Sequence, residues 1–157
     1  MMMSKRLAVA LLGLAVALGS GCAKPPPPPP PTVVQGTLVV DTAANPDGRG
    51  RASPIIVRVL ELKSLSPFGT ADFFELWDRP RETLQANLVE FDDYEMRPGE
   101  QRQFERKPGV EVKYLAVIAA YRDLERASWR STLPIVANQT QAIFVTVEAR
   151  KVTLSRK

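Results

Sequence analysis

The ten residues from Val112 to Tyr121 (VKYLAVIAAY) carry apolar side chains on both faces of an extended chain. Tyr114, Ala116 and Ile118 fall on one face, and Leu115, Val117 and Ala119 on the other. A strand loaded in this way has to be central and covered on both sides. Ile55 to Leu62 (IIVRVLEL) is a second, nearly continuous β-branched run, with Pro54 acceptable as its first residue. Weaker strand patterns surround these two. Thr37 to Val40 is a short β-prone run, Asn87 to Met96 is polar enough for an edge, and Gln101 to Lys107 alternates around Phe104. Trp129 to Ile135 pairs nearby, with Pro134 marking an edge or bulge. Ile143, Val145 and Val147 alternate with Phe144, Thr146 and Glu148, and Lys151 to Leu154 adds a last short strand. Pro98-Gly99 and Pro108-Gly109 read as turns. Seven or eight short strands so punctuated predict an all-β fold, an antiparallel β-sandwich over residues 35–157.

One segment departs from this pattern. Thr70 to Trp77 (TADFFELW) has a capping residue, an early acid, and Phe73, Leu76 and Trp77 at helical spacing. It predicts a two-turn helix covering one end or edge of the sandwich and limited by Pro80. Core packing is the favoured role for its aromatics.

The N-terminus predicts export. Lys5 and Arg6 precede Leu7 to Leu18, twelve apolar or small residues without charge. As a helix these rise about 18 Å, short of the ~30 Å hydrocarbon core, so the segment is a cleavable signal over residues 1–21. The stretch Leu18-Gly19-Ser20-Gly21-Cys22 resembles the lipobox of bacterial lipoproteins, with Gly19 standing where Leu is commonest. The resemblance implies cleavage before Cys22 and an N-acyl, S-diacylglycerol lipid on that residue. Ala23 follows in place of an Asp of the inner-membrane retention type, which points to the outer membrane. Residues 22–34 form a spacer, since the seven prolines Pro25 to Pro31 hold polyproline II and extend roughly 20 Å.

Composition excludes much chemistry. Cys22 is the only cysteine and there is no histidine. An acylated Cys22 leaves no thiol, and without imidazole there is no Ser-His or Cys-His arrangement and no His metal ligand. The net charge is +4, and Lys5 and Arg6 of the signal account for two of these. Interspersed charges of both signs do not make a nucleic-acid surface. Asp92, Asp93 and Glu95 are the only tight acidic cluster, read as a solvated edge-strand face. Asn45-Pro46-Asp47-Gly48 lacks both end ligands of a calcium loop. No metal, cofactor or catalytic residue is expected.

The connection Ala43 to Ser53 (AANPDGRGRAS) is longer than a hairpin needs and holds Asp47, Arg49 and Arg51 between turn formers. Residue chemistry alone leaves it balanced between a solvated loop and a binding loop. A wider pattern then emerges. Cys22 is followed by Asn45-Pro46-Asp47-Gly48-Arg49, then Ser53-Pro54 leading into IIVRVLEL, then Phe68-Gly69-Thr70-Ala71-Asp72-Phe73-Phe74-Glu75-Leu76. After these come the Pro98-Gly99-Glu100 turn, Ala119-Ala120-Tyr121 and Trp129-Arg130. From Gly36 to about Val147 this order resembles the TssJ family, outer-membrane lipoproteins of the bacterial type VI secretion system. The resemblance implies a transthyretin-like sandwich with a short helical addition and no enzymatic activity. It also implies a place on the outer membrane facing the periplasm, and a grip on the periplasmic domain of TssM. The family's binding loop, carried onto this chain, is Asn45, Pro46, Asp47, Gly48, Arg49, Gly50 and Arg51. A second reading is a lipid-anchored module that binds a small molecule, peptide or glycan through Phe73, Phe74, Trp77 and Trp129.

Overall fold

The computed structural model describes residues 25–156. The expected signal over residues 1–21 and the lipidation site Cys22 lie outside the described residues. The strands are β1 (Val33–Val40), β2 (Ile55–Leu62), β3 (Leu88–Met96), β4 (Gln101–Arg106), β5 (Tyr114–Ala119), β6 (Arg130–Pro134), β7 (Thr140–Val147) and β8 (Val152–Arg156). Three short helices join β2 to β3: α1 (Ser66–Thr70), α2 (Phe73–Asp78) and α3 (Pro80–Leu84). The strands form two four-stranded sheets, ordered β4-β1-β7-β8 and β3-β2-β5-β6. Pairing is antiparallel except between β1 and β7, which run parallel from Val33↔Thr140 to Val40↔Val147. That pairing starts β1 four residues before the expected Thr37, because its first half finds a partner only far along the chain.

Side-chain alternation builds the core between the sheets. Val34, Leu38 and Val40 of β1 and Ile143, Val145 and Val147 of β7 meet Val57, Val59, Leu115 and Val117 from the other sheet. Gly36 occupies the same inward face, and the ring of Phe104 on β4 lies over it. A Cβ at Gly36 would come within 2.1 Å of that ring, so only glycine fits. The aromatic ring fills the space a side chain would otherwise take, and it stacks at a tilt 5.5 Å from Tyr94.

A second apolar layer lies on the far side of β2 and β5. Leu60, Leu62, Ala116 and Ile118 pack under Phe68, Phe73, Leu76 and Leu84 of the helices. This is why β2 and β5 are apolar on both faces. The helical segment therefore covers a sheet face, where the sequence predicted an end or edge. It is also longer than predicted, running from Ser66 to Leu84 in three short helices, while α2 itself starts later, at Phe73. Asp72, not Thr70, caps α2: its carboxylate accepts from the Glu75 amide at 2.8 Å while the Glu75 carboxylate accepts from the Asp72 amide at 2.9 Å. The reciprocal bonds satisfy two end amides at once. Pro80 ends α2 and also opens α3 as a first-turn residue, where its missing N–H costs nothing.

Two arginines fasten this layer. Neither α1 nor α2 has a basic residue in its last turn. Arg58 of β2 instead donates to the carbonyls of Leu76 (3.3 Å) and Trp77 (2.7 Å). Arg130 of β6 donates to the carbonyls of Phe68, Gly69 and Ala71 at 2.8–2.9 Å. The sheet thus supplies the cations that the helix C-termini lack.

Candidate functional site: the arginine-rich tip

The chain enters β1 from the proline run and leaves it into the loop Asp41–Pro54. At the entry, Thr32 is buried and its hydroxyl accepts from the Asn138 amide at 2.8 Å, while Val33 N–H donates to Gln139 O at 3.0 Å. The proline stalk and the loop therefore sit at opposite ends of an eight-residue strand, about 26 Å apart at strand rise. The loop is long because it crosses from one sheet to the other.

Asn45 builds the tip. It is 2 % exposed and adopts φ of 51°, a left-handed conformation that asparagine tolerates better than most residues. Its amide N–H donates to Ala149 O at 3.1 Å in the β7–β8 connection. Its side-chain oxygen accepts from the Arg122 amide at 2.8 Å in the β5–β6 connection, and its side-chain NH₂ donates to Pro54 O at 2.8 Å. One buried side chain and its own backbone thus join three loops. Tyr121 reinforces the same junction, its hydroxyl donating to Glu148 O at 3.1 Å, and burial pushes its pKa well above the ordinary 10.

Asp47 shapes the exposed arc. Its carboxylate accepts from the amides of Arg49 (2.8 Å) and Arg51 (3.0 Å) and from Arg51 Nε (2.9 Å), and Gly50 completes the turn at φ of 78°. These bonds, the Arg51 amide foremost, lower the Asp47 pKa below 3.8, and the charge of Arg122 adds slightly. A depressed folded pKa means that the loop's support by Asp47 is complete above the unfolded value and lost as pH falls through the folded one. The Arg49 and Arg51 amide resonances should accordingly titrate together with a midpoint below 3.8, and Asp47→Asn should abolish that titration. A midpoint at or above 3.8 would show that the carboxylate does not hold these amides in solution.

Around this arc stand Arg122, Asp123, Arg126 and Arg150, which with Pro46, Asp47, Gly48 and Gly50 line an open depression of about 480 Å³. Asp123 is shared by Arg150 at 3.5 Å and Arg126 at 3.8 Å. Arg51 pairs with Asp47 at 2.8 Å. Arg49 and Arg122 are exposed and form no ion pair among the described residues.

A model of the family T6SS-SciN, described as "Type VI secretion lipoprotein, VasD, EvfM, TssJ", matches residues 32–150. The chain belongs to the TssJ family. It is 38 % identical to the T6SS lipoprotein TssJ1 from Pseudomonas aeruginosa, whose crystal structure superposes with a TM-score of 0.79 over 82 % of this chain and 98 % of that one. The Serratia marcescens protein Lip, a membrane-bound component of the type VI secretion system, is 23 % identical with a TM-score of 0.74, covering 81 % and 98 % of the two chains. A chain from a structure described as the T6SS protein TssM C-terminal domain from EAEC is 19 % identical with a TM-score of 0.65, covering 78 % and 97 %. These last two share the fold. No curated protein matches the chain. As a TssJ-family secretion lipoprotein the chain is a structural component of the envelope machinery and not an enzyme.

The remaining chemical candidates resolve into packing. Phe73 stacks on Trp77 at 5.4 Å and meets Trp129 edge-on at 5.3 Å, so three of the four aromatics offered for ligand binding are part of the helix–sheet layer. Phe74 alone is well exposed, at 62 %. The acidic run is exposed on the edge strand β3, as the sequence predicted, and two of its members also make ion pairs that the sequence did not show. Asp92 and Asp93 alternate across β3, and each pairs with a different buried arginine. Asp93 holds Arg58 bidentately at 2.7 and 2.8 Å, and Asp92 pairs with Arg106. Among the described residues no three potential metal ligands come together.

Proposed function

We propose that the protein is held in the outer membrane by an N-acyl, S-diacylglycerol lipid on Cys22 and binds the periplasmic domain of TssM with the loop over residues 45–51. Lipidation would set the tether, and the chain's family carries it as a lipoprotein. The observation that carries the reading is the opposition of stalk and tip along β1. Pro25 to Pro31 would lift the domain from the inner leaflet, and the loop at the far end of β1 would then face the periplasm. Within the loop the roles divide. Asn45 is buried and supports, while Pro46 to Arg51 are the residues that a partner can touch.

Two measurements test this. The full-length acylated protein in detergent should bind purified TssM periplasmic domain. Replacing residues 46–51 by Gly and Ser, with Asn45 kept, should weaken binding at least 100-fold while the circular dichroism stays unchanged. Cys22→Ser should lose palmitate labelling and membrane retention. Undiminished binding by the loop replacement would end the loop assignment, and palmitate incorporation into the Cys22→Ser variant would end the acylation assignment.

A further inference from the structure

We infer that the tip recognises an acidic, partly apolar segment of its protein partner, seated across two adjoining depressions that meet at Arg122. The inference rests on the proposed binding role and specifies the chemistry of the surface that would fit it. Five guanidinium groups crowd the tip (Arg49, Arg51, Arg122, Arg126 and Arg150), against the carboxylates of Asp47 and Asp123. Those two acids are already engaged. Asp47 is bound by Arg51 and by two backbone amides, and Asp123 is divided between two arginines at 3.5 and 3.8 Å, distances too long for good hydrogen bonds. Arg49 and Arg122 make no ion pair within 4 Å among the described residues, although Arg122 is near enough to Asp47 for its charge to act there. A surface with unpaired planar donors of this kind is matched by carboxylates, which take guanidinium forks bidentately.

The second depression tells what accompanies the charge. It measures about 310 Å³, is lined by Pro54, Ile55, Ile56 and Ala120, and includes Arg122, Asn45 and, at its β3 side, the exposed Glu95. Ile56 is 39 % exposed there, on the opposite side of β2 from the sandwich core. Arg122 lines both depressions, and its backbone amide is fixed by Asn45. An extended segment that sets one or two acidic side chains in the first depression, away from Glu95, and an apolar one against Ile56 in the second satisfies both. The location argues against membrane phospholipid as the anion, because the tip lies at the end of β1 opposite the stalk. Complementary charge of this sort acts mainly on encounter, raising the association rate above the ordinary ~10⁵–10⁶ M⁻¹s⁻¹ and making it salt-dependent.

The test is surface-plasmon binding of the TssM periplasmic domain to the full-length protein between 50 and 500 mM NaCl, with Arg122→Glu, Arg126→Glu and Ile56→Asp variants. Each charge reversal should lower affinity at least tenfold, mostly through the association rate, and should flatten the salt dependence. Ile56→Asp should raise the dissociation rate. Salt-independent binding that survives both reversals, with the 46–51 replacement still inactive, would overturn the acidic-segment inference and leave the loop reading standing. Absence of binding by the unaltered protein would overturn both. Arginine-dependent binding to phosphatidylglycerol vesicles, without any effect of the reversals on TssM, would move the site to a lipid and likewise overturn the inference.

Discussion

Glu61→Leu is expected to destabilise the fold by about 3–5 kcal/mol, because it strands a buried arginine between the sheets. Glu61 sits on the inward face of β2 and Arg106 at the end of β4 in the opposite sheet. Their side chains are 6 % and 5 % exposed and bond at 2.9 Å. Arg106 also pairs with Asp92, which is 59 % exposed and already stabilised by water, so that second carboxylate cannot replace the first. Arg106 Nε is already buried with no hydrogen-bond partner, so losing Glu61 adds a second unsatisfied donor to a guanidinium that has no nearby acceptor to turn to. Removing both charges should reverse most of the loss. Glu61→Leu combined with Arg106→Met should fall within about 1 kcal/mol of the unaltered protein, since an apolar pair of similar volume avoids desolvation altogether. Urea denaturation of the two single variants and the double variant completes the cycle. Additive losses would show that the pair is not coupled and that the inter-sheet contact rests on the surrounding core.

That pair illustrates what could and could not be read along the chain. Val112 to Tyr121 predicted a doubly covered strand, and β5 lies inside the sheet between the core and the helices, because alternation is a local property that the fold has to respect. IIVRVLEL predicted β2 to the residue. Its two charged members were invisible as structure, since Arg58 and Glu61 find partners 35 and 45 positions away. The adjacent acids Asp92 and Asp93 looked like one cluster for the same reason. A period of two sends them to opposite faces, where each meets a charge from a distant strand. The helical segment was legible as a helix, while its place on the sheet face depended on which outward residues of β2 and β5 needed covering. At the tip, the loop's composition marked it as a candidate, but Asn45 gave no sign that it would be buried and join three connections. Its only local hint is that asparagine tolerates positive φ.

Arg58→Ala should produce the second large effect, a loss of about 3 kcal/mol concentrated in the helical layer. The guanidinium is 8 % exposed and makes several kinds of contact at once. It bonds Asp93 bidentately, donates to two carbonyls at the end of α2, and lies 4.3 Å from the Trp77 ring and 4.5 Å from the Phe91 ring. Hydrogen bonds to charged groups contribute about 1.5–3 kcal/mol each where they are buried, and desolvated cation–π contacts about 2. Asp93, at 41 % exposure, recovers hydration when its partner is lost, which keeps the net cost below the sum. Arg58→Lys should be intermediate, because an ammonium keeps the charge but cannot form the planar fork and stack together. The location of the damage is the more discriminating result. Trp77 fluorescence and amide exchange in α2 should respond before the sandwich unfolds, while the TssM binding proposed for the tip should stay intact under native conditions. A uniform loss of exchange protection across both sheets would mean that the helices are an integral part of one cooperative core, and not a layer fastened to it by sheet-borne arginines.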